Sequence, residues 1–336
     1  MLNKNLYLIL LVLIFTACTS KKSPVIIYCS LDKMYSEPIL LEFEKQSGIE
    51  VRAVYDTELT KTVGLVNRII AESSNPQCDV FWNNEISRTI YLEKSNLLQS
   101  YISENASSIA LKYKSEKSYW TGLAARARVI IYNKVKCKDG DLPSSYQDLA
   151  NEKWKGKAAL AYPLFGTTAT HAAAIFELEG DEEAKVLFNR IKDNQTAILD
   201  GNATVRDRVV SGEYWWGFTD TDDANGAIED GKNVGVIFPD QNPDQVGMMI
   251  IPNTVALIKG SPNQENGKRL IDFILSKQVE EELAKSRAAQ IPLHPGVPFP
   301  DKVIDLSKIK EMDIDFYKVC DKLETSSYEL QHIFVK

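Results

Sequence analysis

The sequence predicts an α/β fold of two lobes, each a mainly parallel sheet flanked by helices, with two hinge crossings between them. Three observations support this prediction: short β-branched segments alternate with segments of helical periodicity, two long β-type segments lie far apart in the chain, and 336 residues suffice for about two domains. A chain that crosses twice between two lobes leaves a cleft between them. We therefore expect a ligand site in that cleft.

The first lobe begins with a strand, a turn and a helix. Residues 25–28 form a short apolar, β-branched run, and Ile39, Leu40 and Phe43 follow at helical spacing until Gly48. In a parallel sheet of this kind, ligands collect at the carboxyl ends of the strands. The same order continues with a strand at 49–55, a helix at 61–72 and a strand at 78–82.

The two hinge crossings are predicted at two long β-type segments. The first contains residues 128–132, and the second runs from Met248 to Ile258. Between them the chain holds a second set of alternating helices and strands. We therefore expect the chain to leave the first lobe near residue 125 and to return near residue 247.

The composition excludes several classes of protein. Lys and Arg total 39 against 46 Asp and Glu, the net charge is -7, and no long basic run occurs, so nucleic acid is not an expected partner. The 25% charged and 44% hydrophobic content excludes a disordered chain. With three His, and Cys spacings that match no zinc pattern, a metal cluster of Cys and His is not expected.

The N-terminus has the pattern of an export signal. Lys4 precedes an apolar run of about ten residues from Leu6 to Phe15, which is too short to span a bilayer. Small residues then precede Cys18, as in the lipobox of bacterial lipoproteins, so Cys18 is the predicted lipidation site. The predicted boundaries are 1–17 for the signal peptide, 18–24 for the lipidated tether, 25–125 with 247–290 for the first lobe, and 126–246 with 291–336 for the second lobe.

Four further cysteines are present in a chain that is expected to be exported. Export permits disulfide bonds, and four thiols allow three pairings. The sequence does not choose among them. The four are Cys29, Cys78, Cys137 and Cys320.

Six segments form an ordered set along the chain. They are 25–30 (VIIYCS), 43–51 (FEKQSGIEV), 78–85 (CDVFWNNE), 127–133 (ARVIIYN), 154–157 (WKGK) and 269–274 (RLIDFI). This set resembles the extracellular solute-binding proteins of bacterial ABC importers. The resemblance is greatest to the ferric-iron-binding branch, which has the type II periplasmic-binding-protein fold, and it covers nearly the whole mature chain.

This resemblance implies capture and delivery of a solute rather than catalysis. A solute would enter the cleft, the lobes would close on it, and the closed protein would dock on a membrane permease driven by an ATPase. We expect an exported monomer that is held at the cell envelope only by its lipid anchor, with no cofactor of its own.

The candidate ligand-binding residues lie at predicted strand ends and helix starts in both lobes. Residues 166–168 precede an Ala-rich helix, and a helix N-terminus is suited to an anion, although these threonines also suit a simple helix cap. Arg126 is a candidate partner for a phosphate, and we place Arg128 on the opposite face of the same strand. The full set is Ser30, Asp32, Asp56, Asn84, Glu85, Arg126, Thr167, Thr168, Asn202, Thr219, Asp220, Thr221 and Asp222.

The expected cargo is a ferric ion or another hard metal ion, together with an accompanying anion. In the iron binders that this chain resembles, a His, a Glu and a pair of adjacent tyrosines hold the metal. The tyrosine pair falls on about Thr221 and Asp222, so it is absent here. The predicted metal ligands are the hard oxygen donors Asp32, Glu85, Asp220 and Asp222.

Two alternatives to a metal cargo stay open. The same cleft could take a cationic organic solute against its acidic residues, or a phosphate- or phosphonate-bearing solute at the helix end with Arg126. An enzyme is a more remote alternative. Asp220-Thr221-Asp222 resembles the nucleophile loop of Asp-x-Asp phosphatases, but it comes late in the chain, and Ala224 replaces the Thr or Val of that motif.

Overall fold

The computed structural model describes residues 23–56, 63–138 and 140–335. The predicted signal peptide, the lipidation site Cys18 and most of the predicted tether lie outside the described residues. The strands are β1 (Val25–Cys29), β2 (Val51–Tyr55), β3 (Val80–Asn83), β4 (Leu98–Gln99), β5 (Trp120–Asn133), β6 (Ala158–Ala161), β7 (Ala197–Leu199), β8 (Trp216–Asp220), β9 (Val234–Ile237) and β10 (Ile250–Ile258). The helices are α1 (Lys33–Ser47), α2 (Gly64–Ala71), α3 (Ile86–Lys94), α4 (Gly166–Glu179), α5 (Asp181–Asp193), α6 (Asn202–Ser211), α7 (Thr221–Glu229), α8 (Gln264–Ile274), α9 (Lys277–Lys285) and α10 (Phe316–Phe334).

The first half of the molecule is built on the parallel strands β2, β1 and β3. Cys29 at the end of β1 is in register with Trp82 of β3 and with Tyr55 of β2, so these three strands end at one edge of the sheet. The core strand β3 is buried along its whole length, as expected for a sheet covered on both faces. The predicted order of strands and helices is confirmed here, and Gly48 ends α1 in the left-handed conformation that favours glycine.

The second half repeats this arrangement with the parallel strands β7, β6 and β8. Helices α4, α6 and α7 each begin just beyond the carboxyl end of a strand of this sheet, namely β6, β7 and β8. The aromatic core of this half contains Trp154, Trp216 and Phe218, all almost completely buried.

The antiparallel strands β5 and β10 connect the two halves. Strand β5 pairs with β10 on the first-half side and with β8 and β9 on the second-half side, so one strand of 14 residues belongs to both sheets. The register between β5 and β10 shifts at Pro252 and Asn253, where Ala124 is the extra residue of a β-bulge with a φ of 39°. Glu280 accepts a hydrogen bond from the backbone amide of Ala124 at 2.8 Å. The predicted hinge strands are confirmed, whereas the exact lobe boundaries stay a prediction.

Helix α10 contacts both halves. It packs against α3 of the first half and against α4 and α5 of the second half. Its Lys322 is paired with Asp181 at the start of α5 at 2.7 Å. The last helix therefore lies alongside the junction of the two halves.

The four cysteines among the described residues are free and buried, so none of the three possible disulfide pairings is present there. Burial raises the pKa of the Cys29 and Cys320 thiols to about 12 and that of Cys137 to about 11, and it raises the pKa of Cys78 well above its ordinary value. Within residues 23–56, 63–138 and 140–335, no helix combines the length and apolar character needed to cross a membrane.

Candidate functional site

The first half contributes to the candidate site the residues that directly follow its strands. Ser30 follows β1, Asn84 and Glu85 follow β3, and Asp56 follows β2, with its amide donating to the Cys29 carbonyl at 3.3 Å. Ser30 is 3% and Asn84 is 3% exposed. Ser30 Oγ and Asn84 Oδ1 have no hydrogen-bond partner among the described residues. Buried polar atoms are nearly always paired, so these two atoms mark a place where a ligand can bind.

Glu85 is occupied by the start of helix α3. Its carboxylate accepts hydrogen bonds from the backbone amides of Ser87 at 2.5 Å and Arg88 at 2.9 Å, which makes it the N-cap of that helix. It also accepts a hydrogen bond from Thr170 Oγ1 of helix α4 at 2.7 Å. Glu85 therefore links the two halves.

Asp220, the last residue of β8, is the centre of a buried polar cluster in the second half. Its carboxylate accepts hydrogen bonds at 2.7 to 3.2 Å from Arg126, Arg128, Thr167 and Asn202. Burial by itself would raise the pKa of Asp220, but the charges of Arg128 and Arg126 and the Thr167 hydroxyl lower it overall. Asp220 is therefore an ionised residue that is held by two guanidinium groups.

Three helices begin at this cluster. Their first residues are Gly166 in α4, Asn202 in α6 and Thr221 in α7, and none of their N-cap residues makes a side-chain hydrogen bond to the first turn. Thr168 Oγ1 lies 3.3 Å from Asn202 Oδ1, and Thr219 Oγ1 donates to the Asn202 carbonyl at 3.2 Å. The amide groups of three first turns are thus directed to one region, which favours negative charge.

Arg126 lies where the two halves meet. Its Nη2 donates to the backbone carbonyl of Asn84 in the first half, and its Nη1 lies 3.2 Å from Asp220 and 3.6 Å from Asp222 in the second half. Burial opposes the charge of Arg126, yet the carboxylates of Asp220, Asp222 and Asp32 raise its pKa. Arg126 Nε has no partner among the described residues, which leaves one buried donor for a ligand.

Tyr35, in the first turn of α1, is a site residue that the sequence did not indicate. Burial, followed by the charges of Asp222 and Asp32, raises the pKa of its phenol to about 12. Its phenol therefore lies within electrostatic reach of carboxylates from both halves. Asp32 is the N-cap residue of the same helix, and its charge acts on Arg126 as well. We call the region where Asp32 and Tyr35 of the first half face Arg126 and Asp222 the crevice.

The predicted metal-ligand set is not assembled in this structure. Among the described residues, no group of three or more His, Cys, Asp or Glu side chains is arranged to hold a metal ion. The physical reason is that Glu85 is bound by helix amides and Asp220 by two arginines. In this arrangement Glu85 and Asp220 are thus engaged by protein groups, and the joint role of Asp32, Glu85, Asp220 and Asp222 as metal ligands stays a prediction.

Arg128 is a second cluster residue whose place was predicted wrongly. We placed it on the opposite face of the strand from Arg126, but residues i and i+2 of a strand share a face. Both guanidinium groups contact Asp220, and Arg128 Nη1 also contacts Thr167 at 3.3 Å and Asn202 at 3.0 Å. The alternation of side chains along a strand, with a period of two residues, predicts that Arg128 lies on the same face as Arg126.

Comparison with known proteins assigns the family. Residues 39–311 match the family of bacterial extracellular solute-binding proteins. This chain belongs to that family. It is 28% identical to iron uptake protein A1 of Synechocystis sp. over 84% of this chain and 79% of that protein. It is 26% identical to a putative 2-aminoethylphosphonate-binding periplasmic protein of Salmonella typhimurium over 72% of this chain and 69% of that protein.

Among solved structures, the ferric binding protein from Campylobacter jejuni superimposes with a TM-score of 0.84 at 25% identity, covering 92% of this chain and 99% of that one. The predicted resemblance to solute-binding proteins of the ferric-binding branch and the two-lobed α/β fold are thereby confirmed. This solute-binding protein is an exported binding protein and not an enzyme.

Proposed function

We propose that this solute-binding protein is the capture subunit of an ABC importer and that its solute carries a phosphate or phosphonate group. The observation on which the proposal rests is the environment of Arg126. This guanidinium touches Asn84 of the first half and Asp220 of the second, and its Nε has no partner among the described residues. A solute bound there would contact both halves, which is what closure around a ligand requires.

Three buried atoms without a hydrogen-bond partner among the described residues support this choice of solute. Arg126 Nε is a donor, Ser30 Oγ is a donor and an acceptor, and Asn84 Oδ1 is an acceptor. Guanidinium and hydroxyl groups are both common hydrogen-bond donors to phosphate oxygens. The first turns of α4, α6 and α7 add further favourable potential for a negative group. Together these features favour an oxyanion over a bare cation.

A ferric ion carried with an anion is the second candidate. The names of several relatives support it, among them iron uptake protein A1 and the major ferric iron-binding protein of Neisseria meningitidis. The residue that favours it here is Tyr35, because the charges of Asp222 and Asp32 act on its phenol. Phenolate and carboxylate oxygens are hard ligands that suit a trivalent ion.

Thermal unfolding of the mature chain with a panel of solutes tests the proposal. The panel is inorganic phosphate, 2-aminoethylphosphonate, a sugar phosphate and ferric nitrilotriacetate. A true ligand at about 100 times its dissociation constant adds about 2.7 kcal/mol of stability. We expect a phosphate or phosphonate compound to raise the melting temperature. A rise with the ferric complex alone would reject the first candidate and support the second.

Two matched serine variants localise the bound solute. Ser30→Ala removes an unpartnered buried hydroxyl at the crevice, and Ser261→Ala removes an equally unpartnered buried hydroxyl after β10. We expect Ser30→Ala to weaken binding of the active panel compound about 5- to 10-fold, by loss of one hydrogen bond. Ser261→Ala should leave the dissociation constant unchanged. Equal dissociation constants for the two variants would show that the solute does not bind at Ser30.

We also propose that Cys18 carries a lipid that tethers the protein beside its permease and ATPase. The support is the apolar run that ends in small residues directly before Cys18. Metabolic labelling with a radioactive fatty acid in an expressing bacterium should mark the wild-type chain and not Cys18→Ala. Labelling of both chains, or of neither, would contradict the anchor without affecting the proposal for the solute.

A further inference from the structure

Three buried polar side chains lie behind the crevice in the second half. Arg128 is 0%, Tyr146 1% and His171 1% exposed. Arg128 Nε and Nη2, Tyr146 Oη and both ring nitrogens of His171 have no hydrogen-bond partner among the described residues. A buried polar atom without a partner is rare, and five of them in neighbouring side chains require a common explanation.

The aromatic rings in this region are packed closely together. The ring centroids of Tyr146 and His171 are 4.5 Å apart, and both rings contact Phe218, at 5.1 and 5.8 Å. Phe218 lies two residues before Asp220 on β8, so the two side chains share a face of the sheet. Asp220 is in register with Arg128 on the neighbouring strand. The rings therefore cover the sheet directly beside the ion pair of Arg128 and Asp220.

Helix α4 connects the crevice to this buried region. Thr167 and His171 are one helical turn apart on the same face, and Thr167 contacts Arg128 Nη1 at 3.3 Å. Burial, and then the charge of Arg128, lowers the pKa of His171 well below its ordinary value. The imidazole is therefore neutral and offers one donor and one acceptor.

We propose that ordered water is enclosed between Arg128, Tyr146 and His171 and holds the part of the guanidinium that does not touch Asp220. Internal waters typically make about three hydrogen bonds to otherwise unpaired buried groups, and these three side chains supply them. Water is favoured over an anion at this place because the charge of Arg128 is already met by the carboxylate of Asp220 at 2.7 Å.

Tyr146 and His171 then act as positioning residues for the solute site. They hold Arg128, Arg128 fixes the carboxylate of Asp220, and Asp220 orients Arg126, which faces the crevice. The effect on solute binding rests on the proposed function, whereas the water site does not. A crystallographic test and a binding test therefore separate the two.

A crystal structure of the mature chain at about 1.5 Å resolution tests the water site. We expect density for a water within hydrogen-bond distance of Arg128 Nε or Nη2 and of Tyr146 Oη or a His171 nitrogen. Direct protein contacts to all these atoms would overturn the proposal. An anomalous peak at the same place after a bromide soak would also overturn it, since that result identifies an anion site.

Two tyrosine variants test the positioning role. Tyr146→Phe removes only the buried hydroxyl, and Tyr101→Phe removes a hydroxyl that donates to Asp272, far along the chain from the site residues. With 2-aminoethylphosphonate as the probe, we expect Tyr146→Phe to raise the dissociation constant about 3- to 10-fold. Tyr101→Phe should not change it. Each dissociation constant is measured at the same number of degrees below the melting temperature of the variant. A loss of global stability is then not mistaken for a loss of positioning.

An unchanged constant in Tyr146→Phe would refute the positioning role. If the probe does not bind the wild-type chain at all, the proposed solute is wrong. The same titration with ferric nitrilotriacetate then takes its place, with the same expected ratio between Tyr146→Phe and Tyr101→Phe. In either case the crystal structure of Tyr146→Phe should have lost the water beside Arg128.

Discussion

Thr170 of helix α4 donates a hydrogen bond to Glu85 at the start of helix α3, with an Oγ1 to Oε1 distance of 2.7 Å. Both residues are buried, at 1% exposure each. Because α4 belongs to the second half and α3 to the first, this bond joins the two halves directly. The structure therefore describes a conformation in which the two halves touch at the crevice.

Replacing Thr170 by valine should weaken solute binding. The substitution keeps the shape of the side chain but removes the bond to Glu85, so the closed form loses stability relative to the open form. We expect the dissociation constant of the best panel compound to rise about 5-fold. Small-angle scattering of the free protein should give a larger radius of gyration.

Thr196→Val is the matched control for this change. Thr196 Oγ1 donates to the Leu149 carbonyl at 2.9 Å, entirely within the second half. This variant should lose some stability but keep the affinity and the radius of gyration of the wild type. If both threonine variants behave alike, the bond between Thr170 and Glu85 has no role in closure.

His171 should make folding stability depend on pH. Its pKa is lowered in the folded protein by burial and by Arg128, so between that value and the unfolded pKa of about 6.5 only the unfolded chain takes up a proton. Stability is therefore lost as the pH falls below about 6.5. A histidine that stays neutral in the folded protein can contribute at most about 2 kcal/mol between pH 7.5 and 5.0.

Urea unfolding at several pH values measures this contribution. The free energy of unfolding of His171→Phe should depend less on pH over this interval than that of the wild type, by up to about 2 kcal/mol. His332→Gln, which changes an exposed histidine of α10, should retain the dependence of the wild type. Parallel curves for the wild type and His171→Phe would show that His171 is not neutral in the folded protein.

The cysteines should be unreactive in the folded protein. Cys29, Cys78, Cys137 and Cys320 are free and buried, and burial raises the pKa of each, which suppresses the reactive thiolate. A chain with Cys18→Ala should therefore show no titratable thiol with a chromogenic disulfide at pH 8 and four in guanidinium chloride. A reducing agent should not change its melting temperature. Fewer than four thiols after unfolding would indicate a disulfide.

Gly217 on β8 should not tolerate a side chain. A Cβ atom at this position would lie 2.5 Å from Val205 Cγ1 and 2.6 Å from the Ala159 carbonyl oxygen. Since the carbonyl belongs to the neighbouring strand and cannot move alone, Gly217→Ala should cost about 3 kcal/mol in urea unfolding. Gly201→Ala, whose added Cβ would have no atom of the described residues within 4 Å, should cost at most about 1 kcal/mol, since Gly201 is the N-cap of α6. A similar loss of stability in both variants would mean that strands β6 and β8 shift to accommodate the added methyl group.

The alternation of strands and helices was predictable because it depends on local periodicity. The segment from Val25 to Trp82 and the two hinge strands lie where the pattern of apolar residues placed them. The location of the candidate site beyond the strand ends was also predictable, because the carboxyl ends of parallel strands lie at one edge of the sheet.

The side-chain partners were not predictable from the sequence. Whether Asp220 is a metal ligand or the partner of two arginines depends on which residues face it across strands β5 and β8. The bond between Glu85 and Thr170, 85 residues apart, depends on how the two halves meet. Tyr35 was missed because its acidic neighbours Asp222 and Asp223 come from the other half.

The β-bulge at Ala124 lies only two residues before Arg126 on the same strand, about 7 Å away at the usual rise of a strand. If the second half swings about this point, Arg126 travels along a short arc, whereas helices at the outer rim of that half sweep through a long one. The guanidinium would then stay beside Asn84 during most of the swing. An arriving solute would therefore find the Arg126 guanidinium already in place before the two halves have closed.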